Sequence, residues 1–342
     1  MIYWITFHFS IIFLCILFLY TKKNLYQIII ASLICCILIY FSAFKTGIGQ
    51  DVEQYIKRLG WLSSIEMLSV RNEPLFNLIS YIIDKTRFSY LFLFLVSAIV
   101  TNVGIVLFCL KEKKYFPYMI LLFIFFPVLY QQQFNLVRQF FALGFFYYSL
   151  RYVGVSIWRY FICVIIAGLM HFTAVFLFPL YWIINRRYER KWLLVISIVF
   201  YLFIPFVLNY VGQMDRYESY INIMTTKTMY MSGFTILYNI IILIFLFNNR
   251  LYNSINPIYL NLLILLVLFM DASYINYGFY RFAIYFIPII IYIVPYIFDK
   301  LWNKTSVSFF IAALILLFYI NATGNSSSEK IELLPLSALF DK

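Results

Sequence analysis

Long apolar runs, separated by short polar or basic stretches, make up most of the 342 residues of the chain. A helix needs about 20 apolar residues to cross ~30 Å of hydrocarbon, and the longer runs reach that length. The shorter runs predict half-helices, and an amphipathic piece over residues 74–83 is predicted to lie in the membrane interface. The apolar runs cover residues 2–20, 25–44, 88–110, 116–130, 134–150, 160–184, 192–211, 232–247, 255–271, 279–298 and 306–320.

Basic residues cluster in the loops between apolar runs, as at Lys111–Lys114 and Arg186–Lys191. Cytoplasmic loops of membrane proteins carry such an excess of lysine and arginine. With Lys22–Lys23 in the cytoplasm, following an uncleaved first helix, the alternation of crossings makes two longer polar loops external. These loops lie near residues 45–74 and 212–231.

The charge pattern also predicts one incomplete crossing. Three apolar blocks lie between the two basic loops, and three full crossings would put one of those loops on the wrong side of the membrane. The block 160–184 carries Gly168 and His171 at its centre, and each half is short for a full span. We expect a re-entrant or paired half-helix there, with the short blocks 116–130 and 134–150 as the alternative place for the break.

Composition agrees with a membrane protein: 64% of residues are hydrophobic, 12% are charged, and the mean hydropathy is +0.90. The external loops are too short for a core of their own, so residues 1–320 are predicted to form a single membrane domain and 321–342 a flexible tail. The predicted fold is an all-α, polytopic integral membrane bundle of about 10–12 membrane segments, some of them short or re-entrant half-helices.

The net charge of +12 does not indicate nucleic acid, because the basic residues lie in short loops rather than along a groove. The five cysteines lie inside apolar runs, without the spacing of a zinc site or a disulfide framework. Gly-rich phosphate loops, paired metal-binding carboxylates and nucleophile elbows are also absent from the sequence. We therefore expect no cofactor and a metal-free site built from arginines and carboxylates.

Arg138 is the most informative residue, since it lies between the apolar run 116–130 and the run 140–150. A buried arginine costs ~3 kcal/mol on insertion scales and usually meets a counter-charge, a water cavity or an anionic ligand. If the segment 131–142 forms a helix, one face carries a polar stripe ending in a small residue. That stripe comprises Gln131, Asn135, Arg138 and Ala142.

Two polar segments outside the helices carry carboxylates. Asp51, Gln54 and Tyr55 follow two glycines at helical spacing, which suits a site for sugar hydroxyls or, equally, the exposed start of a helix. Glu73 precedes Pro74, and a carboxylate in a helix first turn is already favoured by the helix dipole. A structural role for Glu73 is therefore the simpler alternative.

Two further polar groups interrupt apolar runs. His171 lies in the middle of its block, where a titratable side chain is costly unless it is solvated or used. Arg281 lies four residues from both Tyr277 and Tyr285, so a helix would place a guanidinium between two phenols, suitable for a phosphate group. Snorkelling of Arg281 to the interface is the alternative. Asp51, Glu73, Arg138 and Arg281 are all predicted at one depth, near the external face.

These residues form a pattern that resembles the EpsG-like group of Wzy-type polysaccharide polymerases, and the resemblance covers most of the chain. The elements Asn-x-x-Arg-Gln and His-x-x-Ala, in that order, carry most of its specificity. The segments that match are Gly49-Gln50-Asp51 with Tyr55, Glu73-Pro74-Leu75-Phe76, Asn135-Leu136-Val137-Arg138-Gln139 with Ala142, His171-Phe172-Thr173-Ala174, and Tyr280-Arg281-Phe282 with Tyr285.

The resemblance implies a multi-pass glycosyltransferase of the bacterial inner membrane, which joins repeat units linked to undecaprenyl diphosphate into O-antigen, capsule or exopolysaccharide. It implies lipid-linked glycan donor and acceptor as partners in the bilayer, with a chain-length regulator protein as a further candidate. Arginines would bind the diphosphate, and a general base would activate the acceptor hydroxyl. The catalytic candidates are His171, Asp51 and Glu73; the substrate-binding candidates are Arg138, Arg281, Asn135, Gln139, Tyr55, Tyr277 and Tyr285.

Two other classes of function remain open from the sequence. A flippase or solute transporter would also use buried arginines for an anion, although such folds usually show internal repeats, which this sequence lacks. A membrane acyltransferase that modifies glycans is the other alternative. His171 and Asp51 also remain alternatives for the general base.

Overall fold

The computed structural model describes residues 2–46, 73–86, 88–126, 129–212, 233–301, 306, 308–316, 332–334 and 338. Its helices confirm the all-α, polytopic membrane fold. They form because a chain in lipid must satisfy every backbone N–H and C=O internally. The α-helices are α1 (Ile2–Tyr20), α2 (Asn24–Ala43), α3 (Pro74–Lys85), α4 (Leu91–Lys111), α5 (Phe116–Phe125), α6 (Val137–Ser149), α7 (Ile157–Met170), α8 (Leu180–Ile183), α9 (Arg190–Gly212), α10 (Gly233–Phe247), α11 (Asn249–Ser254), α12 (Pro257–Ala272), α13 (Gly278–Ala283), α14 (Ile290–Leu301) and α15 (308–316).

Three of the described helices are long and apolar enough to span a membrane, by length and composition: Tyr3–Tyr20 within α1, and α2 and α4. Several other apolar helices have only 10–17 residues, as expected for half-helices, among them α5, α7 and α10. Short 3₁₀ helices connect several of them. These are Gln131–Phe134, Leu150–Tyr152, Phe172–Leu177 and Ile287–Ile289.

The predicted break inside the block 160–184 is confirmed. Helix α7 ends at Met170, and His171 has the extended backbone angles φ −148° and ψ 114°. The chain then continues as the 3₁₀ helix Phe172–Leu177 and the single turn α8. His171 therefore lies at a helix end, where its side chain can reach other elements.

The predicted continuous helix over 134–150 is wrong at its beginning. The chain changes direction at Leu136, whose backbone angles are φ −96° and ψ 51°, and α6 begins at Val137. Gln131 belongs to a separate 3₁₀ helix and Asn135 to the turn after it. The stripe predicted through Gln131, Asn135, Arg138 and Ala142 is therefore not one helical face, and Arg138 lies in the first turn of α6.

The predicted helix over 279–298 is also interrupted. Helix α13 ends at Ala283, and the next α-helix begins at Ile290. Pro288 has no N–H to donate to the carbonyl of Ile284, so a continuous α-helix would lose a hydrogen bond there. Tyr285 lies beyond the end of α13, so Tyr277, Arg281 and Tyr285 do not share one helical face.

The chain contacts form two compact units. Unit 1 comprises residues 1–178 and 294–342, and in it α4 packs against α2 and α6, while α6 packs against α7. Unit 2 comprises residues 179–293, and in it α12 packs against α9, α10 and α13. The single domain over 1–320 stays a prediction.

A short antiparallel pairing links the two ends of unit 1. The strand β1 (Lys45–Thr46) follows α2 and pairs with β2 (Glu332–Leu333). Leu334 N donates to Phe44 O at 2.8 Å, and Ser89 Oγ donates to Ala338 O at 2.8 Å. Where the sequence predicts a flexible tail, these few described residues thus contact the body of unit 1.

Candidate functional site

Three helix ends of unit 1 meet at the carboxylate of Glu73. Glu73 immediately precedes α3, Arg138 lies in the first turn of α6, and His171 immediately follows α7. Arg138 Nη1 donates to Glu73 Oε2, and His171 Nδ1 lies 2.7 Å from Glu73 Oε1. The carboxylate therefore joins two residues that lie 65 and 98 positions away in sequence.

The backbone of Glu73 is strained. Its φ of 57° and ψ of 70° lie in the left-handed region, and it is the only non-glycine residue with positive φ among those the structure describes. A non-glycine residue in this region costs on the order of 1–3 kcal/mol. Pro74, with its fixed φ, starts the helix, and the Glu73 side chain does not cap it. The carboxylate therefore does not cap the helix that it precedes. It binds Arg138 and His171 instead.

The guanidinium of Arg138 is held on two sides. Glu73 supplies the negative charge, and the Arg138 Cζ lies 4.9 Å from the centroid of the Phe76 ring, a cation–π contact. A cation in the first turn of a helix is disfavoured by the dipole, so the carboxylate also offsets that cost. Phe76 is fully buried and fixes the plane over which the guanidinium lies. This stacking is not predicted from the sequence.

The hydrogen bond between Glu73 and His171 fixes the imidazole. An ionised carboxylate only accepts hydrogen bonds, so Nδ1 of His171 is the donor. In the neutral ring the other nitrogen, Nε2, then carries the lone pair that can accept a proton. A carboxylate that orients a histidine in this way is the arrangement that enzymes use to set up a general base.

Burial raises the pKa of Glu73, but the hydrogen bond and charge of His171 and the charge of Arg138 outweigh it and lower the pKa from 4.5 to about 2. Glu73 precedes α3 and lies outside the three candidate membrane spans. The carboxyl is therefore ionised at any physiological pH, so it serves as a fixed negative charge rather than as a proton carrier.

Close packing of α4 on α6 fixes the position of Arg138. A Cβ on Gly144 would lie 2.4 Å from the carbonyl oxygen of Val100, and one on Gly104 would lie 2.2 Å from that of Gly144. The two helices approach until their backbones touch, which only glycine permits. Ser97 Oγ donates to the carbonyl of Val137 at 2.7 Å, directly before Arg138.

The other predicted site residues have separate locations. Asn135 lies half-buried in the turn before α6, and Gln139 is buried in α6 next to Arg138. Asp51 and Tyr55 lie outside the described residues. Arg281, Tyr277 and Tyr285 belong to unit 2, where Tyr277 stacks on Tyr280 and Tyr285 is fully buried. Of the ten candidates, the structure brings Glu73, Arg138 and His171 together.

A metal-binding cluster would need three or more His, Cys, Asp or Glu side chains close together. The part of the chain that the structure describes contains no such group. Glu73 and His171 supply two such side chains, and the third residue of the site is Arg138, which is not a metal ligand. Metal independence stays a prediction.

Comparison with known proteins gives one match. The model of the EpsG family matches residues 28–337, which include Glu73, Arg138 and His171. No curated protein and no solved structure matches the chain. Because the family model covers most of its length, this chain belongs to the EpsG family, a family of Wzy-like polysaccharide polymerases.

Proposed function

We propose that this membrane protein is a glycosyltransferase that polymerises oligosaccharide repeat units carried on undecaprenyl diphosphate, at the external face of the bacterial inner membrane. The observation that carries the proposal is the contact of Glu73 with both Arg138 and His171. It joins a cation suited to a diphosphate with an oriented histidine suited to a hydroxyl. Transfer of a glycan from a diphosphate to a hydroxyl needs both.

In this mechanism Arg138 binds the diphosphate of the donor. A guanidinium has five N–H donors in a planar fork, a geometry that suits paired contacts with phosphate oxygens. When the bond from the sugar to the diphosphate breaks, its electron pair passes to the diphosphate, and the guanidinium stabilises that charge. Arg281 is a second candidate for the same role.

The acceptor hydroxyl loses its proton to His171. Glu73 holds Nδ1–H, so Nε2 is the basic atom, and the imidazolium that forms is stabilised by the carboxylate. This geometry favours His171 as the base, because Glu73 orients its ring, and Asp51 stays the alternative. Glu73 touches both functional groups and acts on the substrates through them.

The same geometry is less suited to the two alternative functions, transport and acyl transfer. A flippase or transporter needs an anion site but has no use for an oriented base beside it. An acyltransferase could use the histidine but would not need an arginine held in the same carboxylate bridge. The family match also favours polymerisation.

A single substitution tests whether His171 acts as a general base or only as a structural partner of Glu73. In His171→Asn, the amide nitrogen can replace Nδ1 as the donor to Glu73, but no basic nitrogen remains. We expect transfer between purified lipid-linked repeat units to fall by about 100-fold or more, the usual contribution of a general base. The matched control is His8→Asn, since His8 is the other histidine of the chain and its ring packs on Trp4, Phe7 and Phe125. Near-normal turnover in His171→Asn would rule out His171 as the base.

The cellular test uses a strain that lacks the gene and carries each variant. Long surface chains that collapse to single repeats support a polymerase. Loss of all surface repeats supports a flippase, and full-length chains of altered mass support modification. We expect Arg138→Lys, which keeps the charge and loses the fork, to shorten the polymer strongly while the protein stays in the membrane.

A further inference from the structure

A polar cluster in unit 2 surrounds Asp271, in the last turn of α12. Asn239 Nδ2, on α10, donates to Asp271 Oδ1 at 2.9 Å, and the hydroxyl of Tyr201, on α9, donates to Asp271 Oδ2 at 3.3 Å. The hydroxyl of Tyr274 donates to Thr235 Oγ1, one turn before Asn239 on α10, at 2.9 Å. Three helices of unit 2 thus share this cluster.

Within the described part of the chain, the carboxylate of Asp271 has no partner cation, since the ion pairs there do not include it. Its position in the last turn of a helix is also unfavourable for a negative charge. Adhesion between helices does not explain the charge, because an asparagine could accept from Asn239 and donate to the hydroxyl oxygen of Tyr201 without the cost of an ion in the membrane.

The carboxylate retains room for a ligand. Its two oxygens offer about four lone-pair positions, and the bonds from Asn239 and Tyr201 use one on each oxygen. Asp271 is partly exposed, so the remaining positions are within reach of outside groups. Two acceptors on one carboxylate match two neighbouring hydroxyls of a sugar ring.

Aromatic side chains follow directly in the sequence. Tyr277 and Tyr280 stack on each other with centroids 5.5 Å apart and an interplanar angle of 24°. Tyr277 is partly exposed. Phenol rings offer an apolar face to the C–H side of a sugar and a hydroxyl to its polar edge. The segment from Asp271 to Tyr280 therefore carries both kinds of group that bind carbohydrate.

We propose that Asp271, held by Asn239 and Tyr201, forms a second carbohydrate-binding site, which takes the hydroxyls of an uncharged sugar of the glycan chain. The inference rests on the proposed polymerase function and adds a glycan subsite to it. A carboxylate repels phosphate and uronic acids, so the ligand is a neutral sugar rather than the diphosphate.

Direct binding tests the site without catalysis. The probe is a set of short, neutral oligosaccharides, made by partial hydrolysis of the cell's own surface polysaccharide. Binding to the purified, full-length protein in detergent is measured by calorimetry. We expect Asp271→Asn to weaken binding by about tenfold or more, since hydrogen bonds to a charged group are lost.

The matched control is Asp299→Asn, because Asp299 already pairs with Lys114 and Tyr115 in unit 1. It should bind the probe like the wild type. Tyr201→Phe keeps the charge of Asp271 and removes one positioning bond, so it should weaken binding only a few-fold. Equal binding by Asp271→Asn and the wild type, or no binding by the wild type, overturns the proposal.

A different set of results would contradict the proposed polymerase function. His171→Asn and Arg138→Lys should bind the neutral probe like the wild type, and only their transfer activity should fall. Normal transfer by these two variants would contradict the proposed function. Unchanged binding by Asp271→Asn would contradict only the second site.

Discussion

Glu73 divides its two carboxylate oxygens between two partners. One oxygen holds the guanidinium of Arg138, and the other holds the imidazole of His171. Its backbone is left-handed, and its side chain is almost fully buried. A strained, buried, charged residue persists only where its neighbours hold it in place, and such residues are typical of functional sites.

Removal of the Glu73 charge should destabilise the protein as well as inactivate it. Glu73→Gln removes the negative charge that Glu73 supplies to the largely buried guanidinium of Arg138, which costs about 3 kcal/mol. We expect a clearly lower melting temperature in detergent and little polymer. The control is Glu189→Gln, which loses only the exposed pair with Lys191 and should melt like the wild type.

The double variant Glu73→Gln with Arg138→Gln separates the two effects. It removes both charges of the ion pair, so part of the lost stability should return while activity stays absent. If the double variant were no more stable than Glu73→Gln alone, the ion pair would not be the source of the loss.

Acid should weaken the site only at low pH. The pKa of Glu73 lies at about 2, below its usual 4.5, so its contribution to stability is complete above about pH 4.5 and disappears as the pH falls towards 2. Thermal melts from pH 6 to pH 2.5 should show this loss in the wild type. This pH-dependent loss of stability should be missing in Glu73→Gln. A loss that is already complete at pH 5 in the wild type would contradict the low pKa of Glu73.

At the scale of helices, the site depends on how closely α4 and α6 approach each other. Gly104 and Gly144 bring the two backbones together, and Ser97 holds the start of α6 where Arg138 lies. The neighbours of both glycines are backbone atoms, which cannot move aside as a side chain could. A methyl group at this place must therefore separate the helices.

We expect Gly144→Ala to cost about 2–3 kcal/mol and to lower polymerisation, because separation of α4 from α6 shifts Arg138. Melting temperature and polymer length measure the two effects. Gly233→Ala is the matched control, since nothing lies within 4 Å of the added Cβ there. Equal behaviour of the two variants would show that the contact between α4 and α6 is unimportant.

Hydropathy predicts most of these helices but not their contacts. The positions of α1, α2, α4, α9, α10 and α12 agree with the apolar runs within a few residues, because each is a continuous apolar segment. The turn at Leu136 was missed because it leaves hydropathy almost unchanged. His171 was found as the break because a glycine and a titratable residue interrupt its run.

Contacts between distant segments could not be predicted from the sequence alone. Arg138 and His171 stood out singly, because each is costly in a membrane. Glu73 had a sufficient local explanation in the dipole of its helix, so its bridging role needed coordinates. Asp271 was overlooked because it ends an apolar run, where a charge is ordinary; Asn239 and Tyr201, polar groups inside apolar runs, were the available signal.

At the scale of the whole chain, the carboxyl-terminal segment contacts the unit that contains Glu73. Leu334 and Ala338 pack against an apolar cluster that includes Phe76, Val137 and Met170. Phe76 stacks with the guanidinium of Arg138, and Val137 and Met170 directly precede Arg138 and His171 in sequence. The described part of the segment thus contacts the same apolar cluster that surrounds the site.

Removal of residues 332–342 should therefore reduce polymerisation without preventing insertion into the membrane. The deletion removes the partner of Lys45–Thr46 and the packing of Leu334. Leu334→Asp, which keeps the chain length, should act in the same direction, and Leu334→Met should not. Normal polymer from the deleted protein would show that the segment is dispensable.

The pairing of Glu332–Leu333 with Lys45–Thr46 also bears on where a fluorescent or affinity label can be fused. A label fused after Lys342 would be attached nine residues beyond Leu333, and its bulk would disturb the strand Lys45–Thr46, from which the chain continues to Asp51. A label at the amino end would precede α1 and avoid that strand. A carboxyl-terminal fusion that makes no polymer would therefore report on the label rather than on the enzyme.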